Sequence, residues 1–170
     1  MVPPPSSPRN VPTSEEWEQY EATLGTPFPS DYKQIINTYG EGWFADWIYL
    51  APPKKILERL KCQPSYLELC LSDWDEPYDL FPVASGLLFC GMDDGNSFFT
   101  WQTKGSPDTW TLINFPNRAY EGSEAILNCT WLELLVGWFQ GEIKNPRHGR
   151  GNQWYPENIR PKKERFFKQR

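Results

Sequence analysis

Residues 80–115 constrain this chain more than any other stretch, because they alternate short apolar runs with residues that turn the backbone. Leu87–Met92 is a largely apolar run directly after Gly86. Phe98–Thr103 follows, with Phe99 and Trp101 at the two-residue spacing that places side chains on one face of a strand. Trp110–Phe115 is rich in β-branched and aromatic residues, which suit a pleated, half-buried surface. Between the first two runs stands Asp94-Gly95. Both residues tolerate positive φ, so the pair predicts a tight type I′ hairpin turn. Lys104–Asp108 predicts a longer turn before the third run. The stretch therefore reads as three or four antiparallel strands in sequence, and the rest of the chain must cover them.

The flanks supply that cover. Thr13 and Glu16 form a capping-box pattern, and Trp17, Tyr20 and Leu24 then recur on one helical face, with Gly25 placed to stop the helix. Pro27-Phe28-Pro29 forces an extended link. Ser30 is positioned to cap a second helix carrying Tyr32, Ile35, Ile36 and Tyr39, ended by Gly40. Trp43–Leu50 reads as one aromatic strand closed by Pro52-Pro53. Lys54 to about Leu71 reads as a third helix interrupted at Pro64, which lacks the amide donor. Ser123 is placed to cap a last helix running to about Phe139. The expected fold is α+β: one domain with a mainly antiparallel sheet flanked by N-terminal and C-terminal helices. Its expected limits are residues 13–143, after a disordered leader at 1–12 and before a basic tail at 144–170. Trp154, Tyr155, Phe166 and Phe167 are the apolar anchors by which that tail can pack back on the domain.

Charge separates along the chain. Residues 144–170 hold nine Lys/Arg against two acids, a charge of +7, and the rest holds eight against twenty, a charge of −12. The acidic body has two readings: a solvated surface that serves solubility, or a face that steers and selects a cationic partner. The aromatic share of 16% supplies core area, which places the chain among globular proteins despite its polarity. No apolar run approaches the length that crosses a bilayer, and the Pro-rich start lacks the regions of a signal peptide, so the expected location is the cytoplasm.

Catalytic and metal-binding patterns are missing. The single histidine, His148, sits in a Pro/Gly/Arg loop without a nucleophile context, and neither a phosphate loop nor a dinucleotide fingerprint occurs. Asp93-Asp94-Gly95-Asn96 lacks the alternating ligands of a calcium loop. Cys62, Cys70, Cys90 and Cys129 show no C-x-x-C spacing, and Cys90 and Cys129 read as buried free thiols. No cofactor and no metal are expected. The basic tail can contact phosphates, but the acidic body opposes a nucleic-acid partner. Of the nine tryptophans, Trp17, Trp101, Trp110, Trp131 and Trp138 fall on core faces. Trp43, Trp47, Trp74 and Trp154 lie near turns and loops; burial is the simpler reading for any one of them, since large rings are mostly buried, and an exposed one marks a binding hot spot. With the acids beside them, the candidate partner-binding residues are Trp43, Trp47, Asp73, Trp74, Asp75, Glu76, Asp93 and Asp94.

Several short motifs, taken in order, resemble the SUKH superfamily, which includes the SMI/KNR-type cell-wall assembly regulators. They are Gly86-Leu87-Leu88, Gly91-Met92-Asp93-Asp94-Gly95-Asn96, Trp101 and Pro107-Asp108-Thr109-Trp110. Upstream, Trp17, Tyr20-Glu21, Leu24-Gly25, Phe28-Pro29, Asp31-Tyr32 and Tyr39-Gly40 extend the resemblance over roughly residues 15–141. The tail after Gly141 departs from the pattern. The resemblance implies an α+β domain that binds protein without catalysis. Bacterial members act as immunity proteins that neutralise toxins, often nucleases. Eukaryotic members resemble regulatory adaptors. The resemblance thus implies a protein partner, most simply a cognate toxin, with a cellular protein as the alternative.

Overall fold

The computed structural model describes residues 3–62, 71–72, 74–75, 78–116, 119, 121–140, 142 and 167–168. Two helices open the fold. Helix α1, Ser14–Leu24, carries the expected capping box: the Glu16 amide donates to Thr13 Oγ1 (3.2 Å) and the Thr13 amide to Glu16 Oε2 (2.8 Å). Helix α2, Ser30–Tyr39, buries Tyr32, Ile35 and Ile36. Ser30 does not cap it. Pro29 takes the cap position, and the Ser30 amide donates to the Asp108 carboxylate (2.6 Å), so an acid from a distant turn satisfies the helix start. The leader is not free of the domain either. Arg9 forms a bridge with Gly40, and Asn10 Nδ2 donates to Glu41 (2.7 Å), so the expected disorder of residues 1–12 does not extend to this pair. Gly40 has φ +68°, and a Cβ there would run into the Arg9 carbonyl.

The expected single strand Trp43–Leu50 is a hairpin of two: β1, Gly42–Phe44, and β2, Ile48–Leu50. Its turn is closed by the Trp47 amide donating to the Phe44 carbonyl (2.9 Å). Ala45 (φ +52°) and Asp46 (φ +57°) are both left-handed, the conformation that marks a type I′ turn. Helix α3, Pro53–Lys61, ends well short of Leu71, with Cys62 at its C-cap, and Pro64 lies outside the described residues. Then come β3, Leu87–Asp93, β4, Phe98–Gln102, a 3-10 turn at Pro107–Thr109, and β5, Thr111–Phe115. Residues near Ser123 form no helix: β6 is Ala125–Ile126, and helix α4 is Trp131–Gln140. Thr130 is its true cap. The Glu133 amide donates to Thr130 Oγ1 (3.3 Å), and the Thr130 amide donates to Glu133 Oε2 (2.9 Å). The last strand, β7, is Phe167–Lys168.

The seven strands among the described residues form one antiparallel sheet in the order β6-β5-β4-β3-β2-β1-β7. Six follow a meander, and the C-terminal strand returns to the outer edge of β1. On one face, Tyr32 of α2 stands edge-on to Trp101 (5.1 Å between centroids), and Trp131 of α4 packs on Phe99 (4.8 Å). On the other face, Leu71, Trp74 and Tyr78 cover Leu87, Ile113 and Phe115, and Arg59 of α3 lies over the rings of Phe89 and Phe98. Trp17, Trp101, Trp110, Trp131 and Trp138 are buried, as their spacing requires. The chain is a single α+β domain with an antiparallel sheet, as the sequence predicts.

Candidate functional site

The strand register decides which turns meet. Ile48 pairs with Asp93 and Phe98 pairs with Phe115, so the β1–β2 turn, the β3–β4 turn and the segment after β5 lie at one end of the sheet. The Asp94 amide donates to the Trp47 carbonyl (2.9 Å) and ties the first two turns together. The Asp75 amide donates to Glu121 (3.2 Å), and the Tyr78 hydroxyl to Glu124 (3.2 Å), which brings two further acids to the edge of the same end. Asp75, Asp94 and Glu121 are exposed, and Asp46, Trp47 and Glu124 are half-buried. The result is an acidic end whose first turn carries Trp47, half-buried with its indole packed against the main core.

Two neighbouring aspartates have opposite fates there. Asp93 is 1% exposed, and its carboxylate accepts the Ser97 amide (2.8 Å). Its own amide donates to the Ser97 carbonyl (3.0 Å), and its carbonyl accepts the Asn96 amide (3.1 Å). Asp93 therefore holds the hairpin and does not face a partner. Asp94 points to solvent. The turn also differs from the expected Asp94-Gly95 type I′ form. The left-handed residue is Asn96 (φ +60°), and Gly95 is not left-handed. A carboxylate that caps a wider loop replaces the two-residue turn.

The remaining candidates divide likewise. Trp74 is not an exposed anchor. It is 8% exposed and packs against Phe115 (6.1 Å) and Tyr78 (6.3 Å), because the sheet's second face needs cover. Asp73 and Glu76 lie outside the described residues. Trp43, half-buried on β1, stacks on Tyr49 (5.4 Å), whose hydroxyl donates to Glu41 (2.7 Å). Burial and that hydrogen bond push the Tyr49 phenol well up, so it stays a donor. The structure thus joins Trp47 and Asp94, keeps Asp75 on the same end, sets Trp43 one residue back along the edge, and removes Asp93 and Trp74 from the exposed surface. Asp46 and Glu121 belong to the end and escape the sequence reading. Asp46 hides in a turn without glycine, and Glu121 reaches Asp75 only through the fold.

Among the described residues, no group of three His, Cys, Asp or Glu is placed to hold a metal. Burial raises the Cys90 thiol well above its ordinary value and raises Cys129 to about 11, the opposite of what activates a nucleophile. His148 lies outside the described residues. Two grooves, of about 500 and 600 Å³, lie away from the acidic turns, one by Tyr20 and Pro53 and the other by Phe28 and Pro107.

The antiparallel sheet, the N-terminal helix pair and the Trp-rich core are those of an α+β domain consistent with the SUKH class. Within that class the chain belongs to the SMI1-KNR4 cell-wall family, whose model matches residues 14–126. The family includes immunity proteins, and its members point to protein–protein interaction. No curated protein and no solved structure matches the chain. No described helix is long and apolar enough to cross a membrane.

Proposed function

We propose that this protein is a non-catalytic, cytoplasmic immunity protein that neutralises a cognate toxin by binding it through the acidic end of the sheet. The observation that carries this reading is that one end of the sheet holds both the β1–β2 and β3–β4 turns, tied by the Asp94 amide on the Trp47 carbonyl, and the exposed acids Asp75, Asp94 and Glu121. Ala45 and Asp46 hold left-handed backbone there at a cost of about 1–3 kcal/mol each, and such strain concentrates at working sites. A body of −12 adds long-range attraction for a basic toxin, such as one that grips nucleic acid. The test is co-expression with a candidate cognate toxin, first of all any toxin encoded beside it. Growth should be rescued and the two proteins should co-purify. Absence of binding at micromolar concentration sinks the proposal.

A regulatory adaptor is the second reading, favoured by the cell-wall description of the matched family. It predicts that deleting the gene alone changes growth or cell shape and that tagged protein retains a cellular partner. An immunity protein leaves the cell unaffected until the toxin is present.

A further inference from the structure

The outer edge of β1 is occupied by the chain's own last strand, although twenty-six residues separate Gln140 from Phe167. The pairing is short: Trp43 with Lys168 and Phe44 with Phe167. What fixes it is one ring. Phe167 packs against Phe44 (4.9 Å) and Tyr39 (5.2 Å), which themselves touch (5.2 Å). The edge is therefore a socket for an aromatic residue beside a row of strand hydrogen-bonding groups, the two parts of a strand-addition site. Its direction matters. The strand runs antiparallel to β1, so residues preceding the aromatic in any strand of this register lead toward the β1–β2 turn, where Asp46 and Asp94 stand.

We infer that the β1 edge is a docking surface for an extended segment of the protein partner, one with basic residues ahead of an aromatic, and that Phe167–Lys168 is an internal stand-in which that segment displaces. The inference rests on the reading of a basic protein partner. The chain's own sequence has the recognised pattern, with Lys162-Lys163-Glu164-Arg165 ahead of Phe166-Phe167. A tethered strand competes at an effective concentration on the order of 1 mM, which holds off a second copy of this chain at ordinary concentrations. A partner strand wins by pairing along all of Gly42–Phe44 and by meeting the acids beyond it.

The test uses a synthetic peptide of residues 161–170 and the full-length chain. Peptide binding to wild type and to Phe167→Ala is followed by NMR titration to millimolar concentration. The variant should bind the peptide about tenfold more tightly than wild type, roughly the factor for burying half a phenyl ring. Lys168→Pro, which removes a strand amide and keeps Phe167, should act in the same direction. Tyr39→Ala in the Phe167→Ala background should abolish binding, and a peptide lacking the aromatic should not bind. Equal binding to wild type and both releasing variants, or none to any, overturns the inference. A wild-type dimer that becomes monomeric in Phe167→Ala also overturns it, because the socket would then hold a second copy's strand. No toxin enters this experiment. Its failure removes strand exchange alone, whereas success beside a toxin that does not bind removes the immunity reading alone.

Discussion

Replacing Asp93 and Asp94 one at a time separates holding the hairpin from facing a partner. Asp93 is buried, and its carboxylate accepts the Ser97 amide at 2.8 Å. A hydrogen bond to a charged acceptor contributes about 1.5–3 kcal/mol, and Asp93→Ala leaves the Ser97 amide buried without that acceptor. The expected loss is about 2 kcal/mol, equivalent to roughly 6–10 °C in Tm for a domain of this size. Asp93→Asn keeps an oxygen acceptor and should lose about half as much. Asp94 is exposed, so Asp94→Asn should change stability by less than about 0.5 kcal/mol while slowing association with a basic partner. Urea denaturation monitored by tryptophan fluorescence gives the stabilities, and stopped-flow mixing gives the rates. Unchanged stability of Asp93→Ala, or an equal loss from Asp94→Asn, would refute the division of roles.

Three further outcomes are expected. Gly91→Ala should cost about 1–3 kcal/mol in denaturation, because its Cβ would come within 2.6 Å of the Tyr49 carbonyl and 3.0 Å of the Trp131 ring. Ala45→Gly should raise stability by roughly 0.5 kcal/mol, the relief of a left-handed Ala less the added chain entropy. A lower Tm would mean that the turn is not left-handed. The Cys129 thiol is raised by burial to about 11 in the fold, above its ordinary value of 9.0. An unfolded chain therefore releases that proton first, and stability is whole below about pH 9, falling as pH rises toward 11. Cys129→Ser should flatten that part of the stability–pH curve.

The parts of the fold legible in sequence are those set by local pattern. The capping box at Thr13, the apolar faces of α1 and α2, and the alternation through Phe99 and Trp101 each act within a few residues, and each appears as expected. What stays hidden depends on distance. Ala45-Asp46 turns the chain without glycine or proline, because the flanking strands fix it from both sides. Trp74 looks like a loop indole until Phe115 is placed beneath it. Ser123 and Thr130 both precede apolar residues, yet only Thr130 has Glu133 three positions on to complete a box, a signal that was readable. For the site, composition marks the acidic turns, but only the register tells Asp93 from Asp94 and brings Asp75 to Glu121. The pairing of β7 with β1 has no local trace, since two residues meet an edge far away in the sequence.

The most direct test of the central claim is the association rate of a cognate basic toxin with wild type and with Asp75→Asn/Asp94→Asn/Glu121→Gln, three exposed positions, measured across ionic strength. Exposed charges act over about 8–10 Å near physiological salt, so their effect on encounter should fade as salt rises. The account predicts association slowed about tenfold or more in the triple variant at low salt, converging with wild type at high salt, with Tm unchanged. Equal rates for the two proteins at low salt would contradict binding through the acidic end of the sheet.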